Sequence, residues 1–98
     1  MNTEEENSTK AVKYNIILDS HAERDFDDLP PADARRIEQR ILSLEENPRP
    51  RGAKKLGENY YRIRVGSWRV IYVVIDKDMT VIVSRIKRRD KSTYRKIP

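Results

Sequence analysis

Apolar residues along this chain follow two rhythms, and the switch from one to the other divides helices from strands. Lys13-Tyr14-Asn15-Ile16-Ile17-Leu18 is short, rich in strand formers and closed by Asp19-Ser20, which predicts a first strand. From Ser20 the spacing becomes helical. Ala22, Phe26 and Leu29 recur at three- and four-residue intervals, and Ser20 with Glu23 has the separation of a capping box. Pro30-Pro31 stops this helix, and Pro31 also suits the first turn of the next. Ala34, Ile37, Ile41 and Leu44 form the apolar stripe of a second helix, with Arg35, Arg36, Glu38 and Gln39 mostly turned to water and Asn47-Pro48 at its end. A break this short predicts that the two helices form an antiparallel hairpin. Arg49 to Gly57 reads as a loop.

The remaining pattern is strand-like. Three strands are predicted over Asn59–Val65, Trp68–Ile75 and Thr80–Lys87, joined by a Gly66-Ser67 hairpin turn and a second turn around Lys77-Asp78. The order is therefore β-α-α-β-β-β. This is an α+β single domain, an antiparallel sheet with a helical hairpin packed on one side. Met1 to Lys10 is polar, acidic and without periodicity, so it reads as a disordered extension ahead of a domain spanning residues 11–98.

Side chains alternate across a strand, so Arg62 and Arg64 share a face while Tyr61, Ile63 and Val65 take the other. A two-residue turn at Gly66-Ser67 sets Val65 opposite Trp68 and Arg64 opposite Arg69. An even-numbered second loop sets Ile75 opposite Thr80 and Val73 opposite Ile82. Continuing that register puts Ile86 opposite Arg69 and Arg88 just beyond, so Arg62, Arg64, Arg69 and Arg88 are expected on one surface. Opposed like charges cost roughly 0.2–1 kcal/mol per pair, a cost a sheet carries more readily if an anion sits between them. A single strand arginine is an ordinary solvated residue; the convergence of four turns the group toward function. Tyr60, Tyr61, Tyr72 and Trp68 read as core or strand-pairing residues. Tyr94 either packs the tail on the sheet, or stacks on a base or hydrogen-bonds a reacting oxygen.

Charge sharpens this picture. Residues 1–48 hold six Lys/Arg against twelve Asp/Glu, and residues 49–98 hold fifteen against four. The halves carry −6 and +11 within an overall +5, an asymmetry that points to a polyanionic partner, most often nucleic acid. Arg49, Arg51, Lys54, Lys55, Arg85, Lys87, Arg89, Lys91 and Arg95 are expected as general electrostatic contacts to such a partner. At 98 residues the chain is one small domain. It has no cysteine and one histidine, His21, placed in the first helical turn, so no disulfide, metal site or other cofactor is expected. No apolar run approaches the roughly 20 residues that span a bilayer, and no secretory core opens the chain, so a cytoplasmic protein without a membrane partner is expected.

Taken in order, Lys55-Leu56, Tyr61-Arg62-Ile63-Arg64, Trp68-Arg69-Val70-Ile71-Tyr72 and Lys87-Arg88 followed by Tyr94 resemble the RelE branch of the RelE/ParE toxin superfamily. The similarity runs from about Tyr14 to Arg95. It implies a toxin of a type II toxin–antitoxin pair, a metal-independent endoribonuclease that enters the ribosomal A site and cuts mRNA there. The implied reaction is attack by a ribose 2′-OH on the adjacent phosphate. By the same resemblance the catalytic set is Arg62, Arg64, Arg69, Arg88 (with Arg89 as its neighbouring alternative) and Tyr94, the last stacking on the cleaved nucleotide. The best-known member has lysines where this chain has Arg62 and Arg64, and arginine clamps phosphate well but transfers protons poorly. The implied partners are the ribosome, mRNA and an antitoxin whose acidic segment covers the basic face. ParE-type relatives, which inhibit DNA gyrase without cutting nucleic acid, and a catalytically inert relative are the alternatives.

Overall fold

A computed structural model describes residues 13–89. Seven regular elements follow one another: β1 (Asn15–Leu18), α1 (Ser20–Asp27), α2 (Pro31–Ser43), β2 (Lys54–Lys55), β3 (Tyr60–Val65), β4 (Trp68–Ile75) and β5 (Thr80–Arg88). The five strands make one sheet in the order β1-β5-β4-β3-β2. The expected α+β architecture holds, with the sheet mostly antiparallel. The exception is β1, which runs parallel to β5. Parallel neighbours need a crossover, and the helices lie in the stretch of chain between these two strands. The extension expected over residues 1–10 lies outside the described residues.

The core follows the two rhythms. Ala22, Leu29, Ile37, Ile41 and Leu44 from the helical segments are buried against Tyr61, Ile63, Val65, Val70, Tyr72, Val74, Val81, Val83 and Ile86 from the strands. Both helices therefore cover one face of the sheet. Tyr72 is fully buried, donates its hydroxyl proton to the Pro48 carbonyl at 2.7 Å, and has its pKa pushed up to about 12, chiefly by burial. At α1 the cap is Asp19, whose carboxylate accepts from the Ala22 N–H at 2.9 Å, while Ser20 is already the first helical residue. The capping-box assignment to Ser20 is thus corrected by one residue, since an aspartate directly before it offers the stronger acceptor at a helix N-terminus. The segment expected as a loop contains β2, two residues that pair Lys54 with Arg62 and Lys55 with Tyr61.

Both hairpins have the expected register at their tips. Gly66, at φ 61°, turns β3 into β4 with Val65 opposite Trp68 and Arg64 opposite Arg69. A 3-10 turn over Asp76–Asp78 joins β4 to β5 and ends at Met79 in the left-handed region, with Ile75 opposite Thr80 and Val73 opposite Ile82. Further along, the ladder slips. Tyr72 pairs with Val83 but Ile71 pairs with Arg85, so one extra residue is bulged out of β5 at Ser84.

Candidate functional site

The bulge decides which cations share a surface. Without it, Ile86 would stand opposite Arg69 on the face away from the helices. With it, Ile86 pairs with Val70 and is buried, Lys87 pairs with Arg69, and Arg88 pairs with Trp68. Opposed residues lie on one side of a sheet. The open face at this end therefore carries Arg62 and Arg64 from β3, Arg69 from β4, and Lys87 from β5, with Arg89 one alternation beyond. The placement of Arg88 in the cluster is corrected. Its guanidinium lies on the helix side, 4.6 Å above the Trp68 ring, whose indole N–H donates to Asp33 Oδ2 at 3.1 Å. Lys87 and Arg89 take the place expected for it. The signal was present in the sequence: the apolar positions Val81, Val83 and Ile86 break the two-residue alternation, and a bulge is the way a strand keeps all three inside.

Electrostatically the cluster is self-repelling. Arg62 has its pKa held below the ordinary arginine value, first by burial and then by Arg64, Arg69 and Arg89; among the described residues no carboxylate contributes. The Nε atoms of Arg62, Arg69 and Arg89 are all shielded from solvent and donate to no protein acceptor. Three guanidinium donors left unpartnered in one patch are unusual, because a buried donor without an acceptor costs roughly 1–3 kcal/mol. The backbone N–H of Arg89 donates to the Ser67 carbonyl at 2.6 Å, tying the end of β5 to the β3–β4 turn. Arginines in such a fork geometry suit phosphate oxygens.

The other basic candidates divide. Lys54 stands opposite Arg62 and extends the patch to the sheet edge, whereas Lys55, exposed, stands opposite the buried Tyr61. Arg51 is exposed in a turn. Arg49 is engaged within the fold: it forms a bidentate pair with Asp76 at 2.7 and 3.2 Å, donates to the Tyr61 hydroxyl at 2.9 Å, and lies over that ring. Tyr14 also donates to Asp76, at 2.6 Å. Arg85 is held by Asp25 of α1 at 2.8 Å, and the same carboxylate oxygen accepts the Ile86 N–H at 2.8 Å. Tyr94, Lys91 and Arg95 lie outside the described residues. Among the described residues, no three His, Cys, Asp or Glu side chains come together.

Beyond the cations the same face turns apolar. One cross-sheet row runs Ile17, Ile82, Val73, Tyr60, with Ile17 and Tyr60 each 49% exposed. Of the two roles expected for Tyr60, core or strand pairing, it takes the second, paired with Val73 and half open. Among the described residues no helix is long and apolar enough to cross a membrane.

Comparison with known proteins adds a consistent set of relatives. Residues 16–92 match the family described as the ParE toxin of the type II toxin–antitoxin system parDE. A curated protein of Methanocaldococcus jannaschii named "Putative toxin RelE1" is 33% identical over 84 residues, which is 81% of this chain and 93% of that relative. Among solved structures, the toxin–antitoxin complex RelBE2 of Mycobacterium tuberculosis contains a chain with a TM-score of 0.71 at 27% identity, covering 80% of this chain and all of that one. The archaeal RelE–RelB complex of Pyrococcus horikoshii gives 0.70 at 28% identity, covering 80% of this chain and 97% of the other.

Proposed function

For a chain that belongs to the ParE toxin family of type II toxin–antitoxin systems, in its RelE branch, we propose a ribosome-dependent endoribonuclease that cleaves mRNA in the A site and so inhibits translation. The observation that carries this reading is the open-face cluster of Arg62, Arg64, Arg69 and Arg89, with three Nε donors unpartnered and no carboxylate among the groups that shift Arg62. Attack by a 2′-OH on phosphorus builds negative charge on the phosphoryl oxygens. Preorganised guanidinium donors stabilise that charge without rearranging during the reaction. Arg69, between Arg64 and Lys87 in the ladder, is the central clamp. Arg62 and Arg64 hold the same phosphate or its neighbour. Tyr94 stacks on the nucleotide, and Lys54 and Arg51 extend contact along the RNA backbone. The reaction takes place in the cytoplasm, where the ribosomes are, and the unit that performs it spans residues 11–98.

The partner proposed to silence the chain is an antitoxin. Two structurally similar toxins were solved with theirs. The open face, cationic at one end and apolar along the Ile17–Tyr60 row, suits a segment carrying both acidic and apolar residues. A gyrase-directed toxin is the second reading, since the matched family is named for ParE; a concentrated phosphate-clamping face favours the nuclease.

The test is primer extension on a reporter mRNA after brief induction of the chain alone, beside Arg69→Ala. Cuts inside translated codons that vanish in the variant are expected. Growth arrest with intact mRNA would overturn the nuclease reading in favour of gyrase.

A further inference from the structure

We propose that Asp25 of α1 is a positioning residue, which locks β5 past its bulge so that Lys87 and Arg89 face outward beside Arg69. The proposal rests on the reading of the open face as an RNA phosphate clamp, and it adds a residue from the opposite side of the sheet. β1 pairs with β5 only from Thr80 to Val83, so β5 runs on past the end of its neighbour. Among the described residues no strand flanks that stretch of edge, and the side chain of Asp25 takes a strand's place there. Its Oδ2 accepts the Ile86 N–H at 2.8 Å and the Arg85 Nε–H at 2.8 Å, and its Oδ1 accepts from Arg85 Nη2 at 3.4 Å. The carboxylate is well covered, with 18% of the side chain exposed. α1 holds it in place through the fully buried Ala22 and the Asp19 cap.

Register is what this contact governs. Ser84 is the extra residue of the bulge, and its hydroxyl donates to the Ile71 carbonyl at 3.2 Å. Slipping β5 by one residue to remove the bulge would turn Lys87 and Arg89 toward the helices, because side chains alternate across the sheet. The same slip would carry the Ile86 N–H away from Asp25, so the hydrogen bond is made in one register and lost in the other. A second tie, from the Arg89 N–H to the Ser67 carbonyl at 2.6 Å, holds the opposite edge of the strand. Lys87 lies between the two ties, paired with Arg69. A carboxylate that would repel RNA by its charge thus favours RNA by its position.

Charge and position predict opposite signs. Deleting one carboxylate raises the net charge from +5 to +6, which by electrostatics alone tightens binding to any polyanion. Loss of the lock instead costs the contacts of Lys87 and Arg89. Each phosphate contact on a single strand contributes roughly 0.7 to the slope of log K against log salt, so two contribute about 1.4 in slope and about 25-fold in affinity at 0.1 M. The test measures binding of the full chain to a short 2′-O-methyl RNA, which has no attacking hydroxyl, across sodium chloride concentrations, with a melt of each variant. Asp25→Ala is expected to bind about 25-fold more weakly at 0.1 M, with the shallower slope. Asp25→Asn, whose amide oxygen still accepts the Ile86 N–H, is expected to bind at least as tightly as the unsubstituted chain. Asp25→Ala at or above the unsubstituted affinity would overturn the proposal, as would equal losses in both variants. If Asp25→Ala does not fold, Asp25→Glu replaces it: the charge stays, the longer side chain overshoots Ile86, and binding with the full slope would be the overturning result. Should Arg69→Ala keep the full slope of the unsubstituted chain, the clamp reading itself fails and takes this role with it.

Discussion

Replacing Arg62 by methionine should make the protein more stable while abolishing its activity. Methionine keeps an unbranched stem and removes the guanidinium. Three cations perturb Arg62, namely Arg64, Arg69 and Arg89. Adjacent like charges on a sheet cost roughly 0.2–1 kcal/mol each, and solvent around this half-open face keeps them toward the lower figure. The unpartnered Nε–H adds about 1 kcal/mol. Together the substitution should gain about 1.5 kcal/mol, which in a domain of this size raises Tm by about 6–12 °C. Because arginine titrates far above neutrality, the gain should not vary with pH between about 5 and 9. Salt is the effective lever: at 1 M the screening length falls to about 3 Å, so the charge part of the gain should disappear. Thermal melts followed by circular dichroism at 50 mM and 1 M sodium chloride would measure both figures. A variant melting below the unsubstituted chain at low salt, or a gap that ignores salt, would refute the idea that the cluster is held together against repulsion.

Two further substitutions test the supports of the site. Asp25→Ala strands the Ile86 N–H and frees Arg85, an expected loss of about 2–3 kcal/mol, or a Tm drop near 10 °C or more. Burial pushes the Asp25 carboxyl up, but Arg85 and the Ile86 N–H outweigh it and hold the pKa below the ordinary value. Its contribution is therefore complete above the unfolded value of about 3.9 and is lost as pH falls through the lower folded one; Asp25→Asn melts should show less of this acid sensitivity. Arg49→Ala should lower stability by about 1–2 kcal/mol, through the exposed Asp76 pair and the Tyr61 hydrogen bond, without changing cleavage per folded molecule. A cleavage defect at unchanged Tm would return Arg49 to the RNA-contacting set.

The two hairpins were legible because local chemistry dictates them. Gly66 supplies the positive φ of a two-residue turn, and the four residues between Ile75 and Thr80 keep the strands in even register, so Arg64 opposite Arg69 could be read directly. Arg88 could not be placed by the same counting, because turn parity carries the register only as far as the bulge at Ser84, which the spacing of Val81, Val83 and Ile86 marks instead. Ile86 has an N–H that the short β1 strand, which ends at Leu18, does not reach, and the acceptor comes from Asp25, 61 residues earlier. Nor could the two-residue β2 be seen in a stretch with no alternation, although its pairing is what sets Lys54 beside Arg62. Asp19 and Ser20 are both good caps, and only the backbone path decides between them.

Charge sorting explains why one patch remains cationic when the whole second half of the chain is basic. Arg85 leaves the bulge to meet Asp25, and Arg49 meets Asp76. Arg36 meets Asp33, and Arg88 lies over the Trp68 ring that the same aspartate holds. Asp33 has its carboxyl held below the usual value first by the Trp68 indole, then by Arg36, with Arg88 a smaller contribution. Each of these arginines has a carboxylate or an aromatic face within reach because α1, α2 and the β4–β5 turn bring acidic residues of the chain to the helix side or to the far end of the sheet. Among the described residues, the open face between β3 and β5 receives none. Had Ser84 not been bulged, Lys87 would be turned toward the helices and Ile86 would sit among the arginines. Burying Ile86 in the core therefore also sends Lys87 and Arg89 outward beside Arg62, Arg64 and Arg69, so the packing of the helices fixes the composition of a surface they never touch.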